Sequence, residues 1–95
     1  MEVVSTPSFE RRFLDIGDRA ARFKIGVVIQ RMRAGNLGDS KSVGAGIMEA
    51  RIHHGAGYRV YFTRRGEEIV ILLLCGDKRT QQADIHRAKL LADNC

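Results

Sequence analysis

The hydrophobic pattern of this chain changes period once, and the change limits the folds open to it. Through residues 7–33 apolar positions recur every three or four residues. Phe9, Phe13 and Ile16 make one stripe, and Ala21, Ile25, Val28, Ile29 and Met32 make a second. That is the spacing of helices with one buried face. From Ile47 to His53 the period falls to two, with Met48, Ala50 and Ile52 alternating with Glu49, Arg51 and His53, as in a half-buried strand. Tyr58–Thr63 repeats the alternation, Val60 and Phe62 on one face and Arg59 and Tyr61 on the other. Ile69–Cys75 is apolar throughout, which requires a strand covered on both faces, and it is read as the middle strand. A helical half followed by a strand half predicts an α+β fold.

Punctuation between the periodic segments gives the order of elements. Glu2–Ser5 reads as a short strand. Thr6 is an N-cap followed by Pro7 at the first helical position, and Gly17 stops that helix. Asp18 opens the second helix, which ends at Gly35-Asn36; together the two predict an αα-hairpin. Residues 35–46 hold four glycines and no period and are expected to be loop. Gly55-Ala56-Gly57 and Arg65-Gly66 are turns between strands, which must then be antiparallel. Thr80 is expected to cap a last helix with Ile85, Ala88 and Leu91 inward. The prediction is β-α-α-β-β-β-α: an antiparallel sheet packed by an αα-hairpin and a C-terminal helix, in a single domain over residues 1–95.

Composition excludes several classes. The longest apolar run has seven residues, far short of the roughly 20 that span a bilayer, and the N-terminus lacks the basic and apolar regions of a signal peptide, so a cytoplasmic protein with no membrane partner is expected. Cys75 lies within an apolar strand and Cys95 at the end of the chain, with neither a disulfide framework nor metal-ligand spacing. His53 and His54 are adjacent and His86 is distant, so no metal and no cofactor are expected. Sixteen Lys and Arg against eleven Asp and Glu give a formal charge of +5, which favours a polyanionic partner. The excess is spread along the chain, so an anion site has to be assembled by folding. The arginines of the second helix, Arg19, Arg22, Arg31 and Arg33, read as a solvated face.

Four segments carry a family resemblance: Gly35-Asn36-Leu37-Gly38-Asp39; Val43-Gly44-Ala45-Gly46; Gly55-Ala56-Gly57-Tyr58-Arg59-Val60-Tyr61-Phe62; and Gly76-Asp77-Lys78-Arg79-Thr80-Gln81. In order and spacing the sequence resembles the HigB-like addiction-module killer branch of the RelE/ParE superfamily, over nearly the whole chain. Ser42 and Ala56 depart from it, each standing where the family often has proline, which bears on loop rigidity. The resemblance implies a RelE-like fold and the toxin role of a type II toxin–antitoxin system. It implies a cognate antitoxin, a small helix-turn-helix protein through which alone operator DNA would be contacted. In RelE-type members it implies cleavage of mRNA on the ribosome, halting translation and growth. The superfamily also contains gyrase poisons, and a degenerate chain that only binds its antitoxin is a third possibility, so the site has to decide.

Metal-independent RNA cleavage by 2′-hydroxyl attack needs a proton acceptor, cations for the phosphorane charge and an acid for the leaving oxygen. Arg51 and Arg59 fall on the polar face of neighbouring strands, where a phosphate fits between them, and Lys78 follows the last strand. By resemblance, Arg59 matches the arginine of a Gly-Tyr-Arg motif, and Arg51 and Lys78 match basic residues of the family. A family lysine falls at Glu49 and a family tyrosine near Asp84, so both those groups are missing. His53 is the candidate proton-transfer residue on the Arg51 face, with the turn residue His54 a lesser one. Lys41, Tyr61 and Arg79 are the expected RNA contacts, Tyr61 by stacking.

Overall fold

A computed structural model describes residues 1–95. Its elements are β1 (Glu2–Ser5), α1 (Pro7–Asp15), α2 (Arg19–Arg33), β2 (Ser40–Gly44), β3 (Ile47–Ile52), β4 (Tyr58–Arg65), β5 (Ile69–Gly76) and α3 (Gln81–Asp93), with a single 3₁₀ turn at Lys78–Thr80 before α3. The architecture is α+β, a five-stranded mixed sheet and three helices. No helix is long and apolar enough to cross a membrane.

The helix starts follow their caps. Thr6 Oγ1 accepts from the Phe9 amide at 3.1 Å and donates to the Leu73 carbonyl at 2.8 Å, so one hydroxyl both starts α1 and pins it to β5. Asp18 accepts from the Ala21 amide at 3.1 Å and starts α2. At α3 the expectation is corrected. Thr80 occupies the cap position, but its hydroxyl goes to the Asp84 side chain, and the capping carboxylate is Asp77, which accepts from the Arg79 amide one turn earlier.

The strand order is β1-β5-β4-β3-β2. Strands β2 to β5 form an antiparallel meander, but β1 joins β5 in parallel, Val3 opposite Val70, so the sheet is mixed rather than antiparallel. The middle strand of the five is β4, and β5 is interior between β4 and β1. Residues 40–44, expected to be loop, form the edge strand β2, paired with Met48–Ala50 through the backbone while its side chains stay largely exposed. Helices α1 and α2 both lie on one face of the sheet, where Phe9, Ile25 and Met32 meet Ala50, Ile52, Val60, Phe62, Val70 and Leu72. Helix α3 covers the other face, where Ala88 meets Ile47, Tyr61, Leu73 and Leu74. A bulge opposite Tyr61–Phe62 turns both Leu73 and Leu74 toward α3, which a strand without a bulge does not allow.

Candidate functional site

The face read as polar in β3 and β4 is the face that α3 covers. At the margin of the apolar cluster on that face, two cross-strand rows follow one another: Lys41, Glu49, Tyr61 and Leu74, then Arg51, Arg59 and Gly76. Arg51 and Arg59 are directly opposite each other, a like-charge pair that is unfavourable by itself. Glu49, fully buried, offsets it. Its Oε1 lies 3.7 Å from Arg59 Nε and 3.8 Å from Arg51 Nε, while Oε2 accepts from Gln81 Nε2 of α3 at 2.8 Å. Arg59 is further held by its Nη1, which donates to the carbonyls of Gly57 and Tyr58. Its side chain is 12% exposed and that of Arg51 34%.

The cluster is incompletely paired. Glu49 Oε1, Arg59 Nε and the Tyr61 hydroxyl are all buried without a hydrogen-bond partner. Buried polar atoms are nearly always satisfied, so three orphans together mark a place where something other than stability sets the arrangement. Desolvation, reinforced by the neighbouring Glu49 charge, raises the Tyr61 phenol above its ordinary value, so the ring stays neutral.

Lys78 reaches the same end by a backbone device. Its amide donates to the Ala56 carbonyl at 3.3 Å, tying the β3–β4 hairpin to the chain leaving β5. Gly57 lies between, with φ of +75°, and a Cβ there would stand 3.4 Å from Lys78 Cβ and 3.6 Å from Arg59 Nη1. Glycine permits both the left-handed backbone and the close approach. The exposed Lys78 thus sits beside Arg59, and the three cations expected from the sequence converge at one end of the sheet.

The remaining expected residues are placed otherwise. Strand β3 ends at Ile52, so alternation does not extend to His53; its Nε2 bonds the Asp39 carboxylate at 2.6 Å and its side chain is largely exposed. The Asp39 carboxyl is lowered from its ordinary value chiefly by that bond. His54 bonds Asp18, the α2 cap, at 3.0 Å, a brace between hairpin and helix. Tyr61 is fully buried, so its ring is not open to stack on a base, in correction of the expectation. Arg79 is exposed but chelates Asp77, Nη2 to Oδ2 at 2.8 Å, which commits much of its charge. Lys41 is exposed on the edge strand opposite Glu49. No group of three or more His, Cys, Asp or Glu side chains converges in a way that would hold a metal.

Glu49 and Gln81 are the residues that sequence reasoning missed. Their signal was present: β5 is apolar on both faces, so a helix had to cover the charged row of β3 as well, and a carboxylate under a helix between two arginines cannot be a solvated one.

Residues 12–94 match the family described as phage-derived protein Gp49-like (DUF891). The chain belongs to the Gp49-like family. It is a toxin-like family of toxin–antitoxin systems, and the match spans α2, the whole β2–β5 meander and α3, hence every residue of the cationic cluster. A relative from Haemophilus influenzae (strain ATCC 51907 / DSM 11121 / KW20 / Rd), described as an uncharacterized protein, is 45% identical over 92 residues, covering 97% of this chain and 93% of the relative. No solved structure matches this Gp49-like chain.

Proposed function

We propose that this Gp49-like protein is the toxin of a type II toxin–antitoxin pair, of the HigB-like branch of the RelE/ParE superfamily, and a metal-independent endoribonuclease that cuts mRNA on the ribosome. The observation that carries the reading is the pair Arg51 and Arg59 held beside one buried carboxylate, Glu49, with Lys78 leaving the sheet at the same end. A structural ion pair needs one cation per carboxylate. Here a buried anion is outnumbered two to one, with a lysine close by, and a phosphate is the natural counterion for the surplus charge.

The chemistry follows from that surplus. The 2′-oxygen forms a bond to phosphorus and the bond to the 5′-oxygen breaks, leaving a 2′,3′-cyclic phosphate and a 5′-hydroxyl. Charge builds on the non-bridging oxygens, where the guanidinium groups of Arg51 and Arg59 stabilise it; Glu49 lies beside their Nε edges and the Gly57 and Tyr58 carbonyls hold Arg59 Nη1, which leaves Arg59 Nη2 and the outer nitrogens of Arg51 for the substrate. Lys78 is the cation nearest the open edge and serves the leaving oxygen. His53, hydrogen-bonded to Asp39, takes the 2′-hydroxyl proton, and the ribosome supplies the remaining requirement by holding the 2′-hydroxyl in line, an effect worth about 7–11 kcal/mol.

Purified protein incubated with translating ribosomes should yield new RNA ends with those termini, and far slower cleavage of the same message without ribosomes. Absence of cleavage at verified folded protein would sink the reading. The buried, fully bonded Asp84 in place of a helix tyrosine favours the second reading, a gyrase poison without nuclease activity, which a supercoiling assay would register. In either case the partners are a cognate antitoxin, expected to be a small helix-turn-helix protein, and, through it, operator DNA; the site of action is the cytoplasm.

A further inference from the structure

Gln81 takes no part in the proposed chemistry, yet its side chain makes the one hydrogen bond that the buried Glu49 carboxylate receives, Nε2 to Oε2 at 2.8 Å. Lys41, opposite Glu49 on β2, forms no ion pair with it. A buried carboxylate flanked by two guanidinium groups is expected to close charge-assisted bonds at about 2.7–2.9 Å. Here Oε1 stops 3.7 Å from Arg59 Nε and 3.8 Å from Arg51 Nε, and both Oε1 and Arg59 Nε stay buried and unpartnered. Leaving a buried anion and a buried donor unsatisfied so close to a bond is costly, so something holds them apart.

Gln81 is placed to do so. A carboxylate is a rigid planar group, and an oxygen fixed from one side limits where the other can go. Gln81 is itself fixed through the backbone, where its amide donates to the Lys78 carbonyl. The turn this closes is capped by Asp77, which accepts from the Arg79 amide at 2.9 Å, and the Lys78 amide ties it to Ala56 of the β3–β4 hairpin. The half-buried Gln81 side chain therefore reaches Glu49 from a firm base. Its amide is a neutral donor. It occupies Oε2 without cancelling the carboxylate charge, whereas a lysine there would neutralise Glu49 and release Arg51 and Arg59.

We propose that Gln81 is a positioning residue for the cationic cluster: by holding Glu49 through Oε2 it keeps Oε1 from closing on Arg51 and Arg59, and so keeps both guanidinium groups open to an incoming phosphate. Without that bond the carboxylate swings toward the two arginines and their Nε–H groups gain an acceptor. The cluster then becomes an ordinary structural ion pair. The consequence for cleavage rests on the nuclease reading, and the placement of Glu49 does not. A residue that only fastened α3 to the sheet would behave otherwise, since its loss would lower stability and leave the arginines as they were.

The test uses Gln81→Leu and Gln81→Met, which keep helix propensity and lack the donor, with Gln82→Leu, at an exposed neighbour, as the control. Circular dichroism should show all three folded. In heteronuclear NMR spectra of the arginine Nε–H groups, the Arg59 signal should move downfield in both Gln81 variants and exchange with solvent roughly tenfold more slowly, as a newly bonded donor does. Glu49→Gln, alone or combined with Gln81→Leu, should abolish that shift and so assign it to the carboxylate. On translating ribosomes both Gln81 variants should cut message with kcat lowered roughly tenfold and KM little changed, at an unlowered denaturation midpoint. The double variant should cut no more slowly than Glu49→Gln alone, because Gln81 acts through Glu49. Gln82→Leu should match the wild type throughout. Arginine signals unmoved in both Gln81 variants overturn the proposal. So does a lowered midpoint with wild-type kcat, or losses that multiply in the double variant. The NMR measurement requires no catalysis, so a wild type that cuts nothing sinks the nuclease reading and leaves the arginine signals to decide the role of Gln81. Moved signals with unchanged kcat sink the positioning role alone.

Discussion

Two carboxylates lie buried on the same face of the sheet, one row apart, and they are treated in opposite ways. Asp84 accepts from Arg12 through both guanidinium nitrogens, at 3.2 and 3.4 Å, and from Thr80 Oγ1 at 2.6 Å. Arg12 also donates to the Cys75 carbonyl at 3.1 Å, so one node joins α1, β5 and α3. Glu49 has two arginines within 4 Å but only one hydrogen bond, from Gln81, and leaves Oε1 unpaired. A carboxylate with its acceptor sites filled holds elements together. One that draws two cations near without closing bonds to them keeps their remaining donors free for another anion.

The sharpest break of this comparison is Arg59→Ala. If the Glu49 cluster acts on phosphate, cleavage should fall by about 10²–10³-fold, the usual loss for one transition-state contact. Stability should fall as well, by about 1–3 kcal/mol, since Glu49 loses a counterion. Rates are therefore to be compared below the melting transition, and a folded variant with wild-type cleavage would remove Arg59 from the site. Asp84→Ala should do the reverse. It should cost about 1–3 kcal/mol of stability, read as a lower denaturation midpoint; the loss is limited because the Arg12 side chain is already 40% exposed and can return to water. Cleavage by the folded fraction should stay within a few fold of wild type, and a collapse of rate at unchanged stability would show that the two nodes are not separable.

A smaller effect distinguishes positioning from charge. Glu49→Gln keeps the shape and removes the anion, so the two opposed arginines should splay. Cleavage should drop roughly 10- to 100-fold through misplacement, with the loss falling chiefly on kcat. An unchanged rate would assign Glu49 to stability alone. The weakest effect concerns pH. Asp18, Asp39 and Asp77 are held below the ordinary carboxyl value by the Ala21 amide, His53 and Arg79 respectively. A depressed folded value contributes stability that is present above the unfolded value of 3.8 and is lost as pH falls through the folded one. Melting temperature should thus hold down to about pH 4 and decline below it, less steeply in Asp39→Asn; an equally steep decline in that variant would dismiss the His53 pair as a contributor.

Most of the fold was legible because its signals are local. The stripes of α1 and α2, the caps at Thr6 and Asp18, and the alternation of β3 and β4 each depend on residues a few positions apart. Strand β2 was hidden because Ser40–Gly44 buries little and is held by backbone pairing, which leaves no hydrophobic trace. The parallel place of β1 was hidden because nothing near Val3 names Val70 as its neighbour. In the site, alternation brought Arg51 and Arg59 together correctly, and the family pattern pointed to Lys78. The same alternation failed at His53, where the strand had already ended, and at Tyr61, which α3 covers. A period-two pattern tells which residues share a face, and not whether a later helix will roof it.

The bond from Thr6 to the Leu73 carbonyl spans 67 residues of sequence, and it has a bearing on how the chain comes into being. Helices α1 and α2 are made first, but the strands they lean on arrive last. Until β5 has emerged, Phe9, Ile25 and Met32 have no sheet to cover, and the parallel β1–β5 ladder cannot close. The β3–β4 and β4–β5 hairpins, in contrast, assemble from near neighbours, so loop closure between the first strand and the last, rather than any local step, is expected to limit the rate of folding. A growing chain is then most vulnerable to aggregation while its two amphipathic helices wait, and its cationic cluster comes into register only when Gln81 and Asp84 dock on the finished sheet.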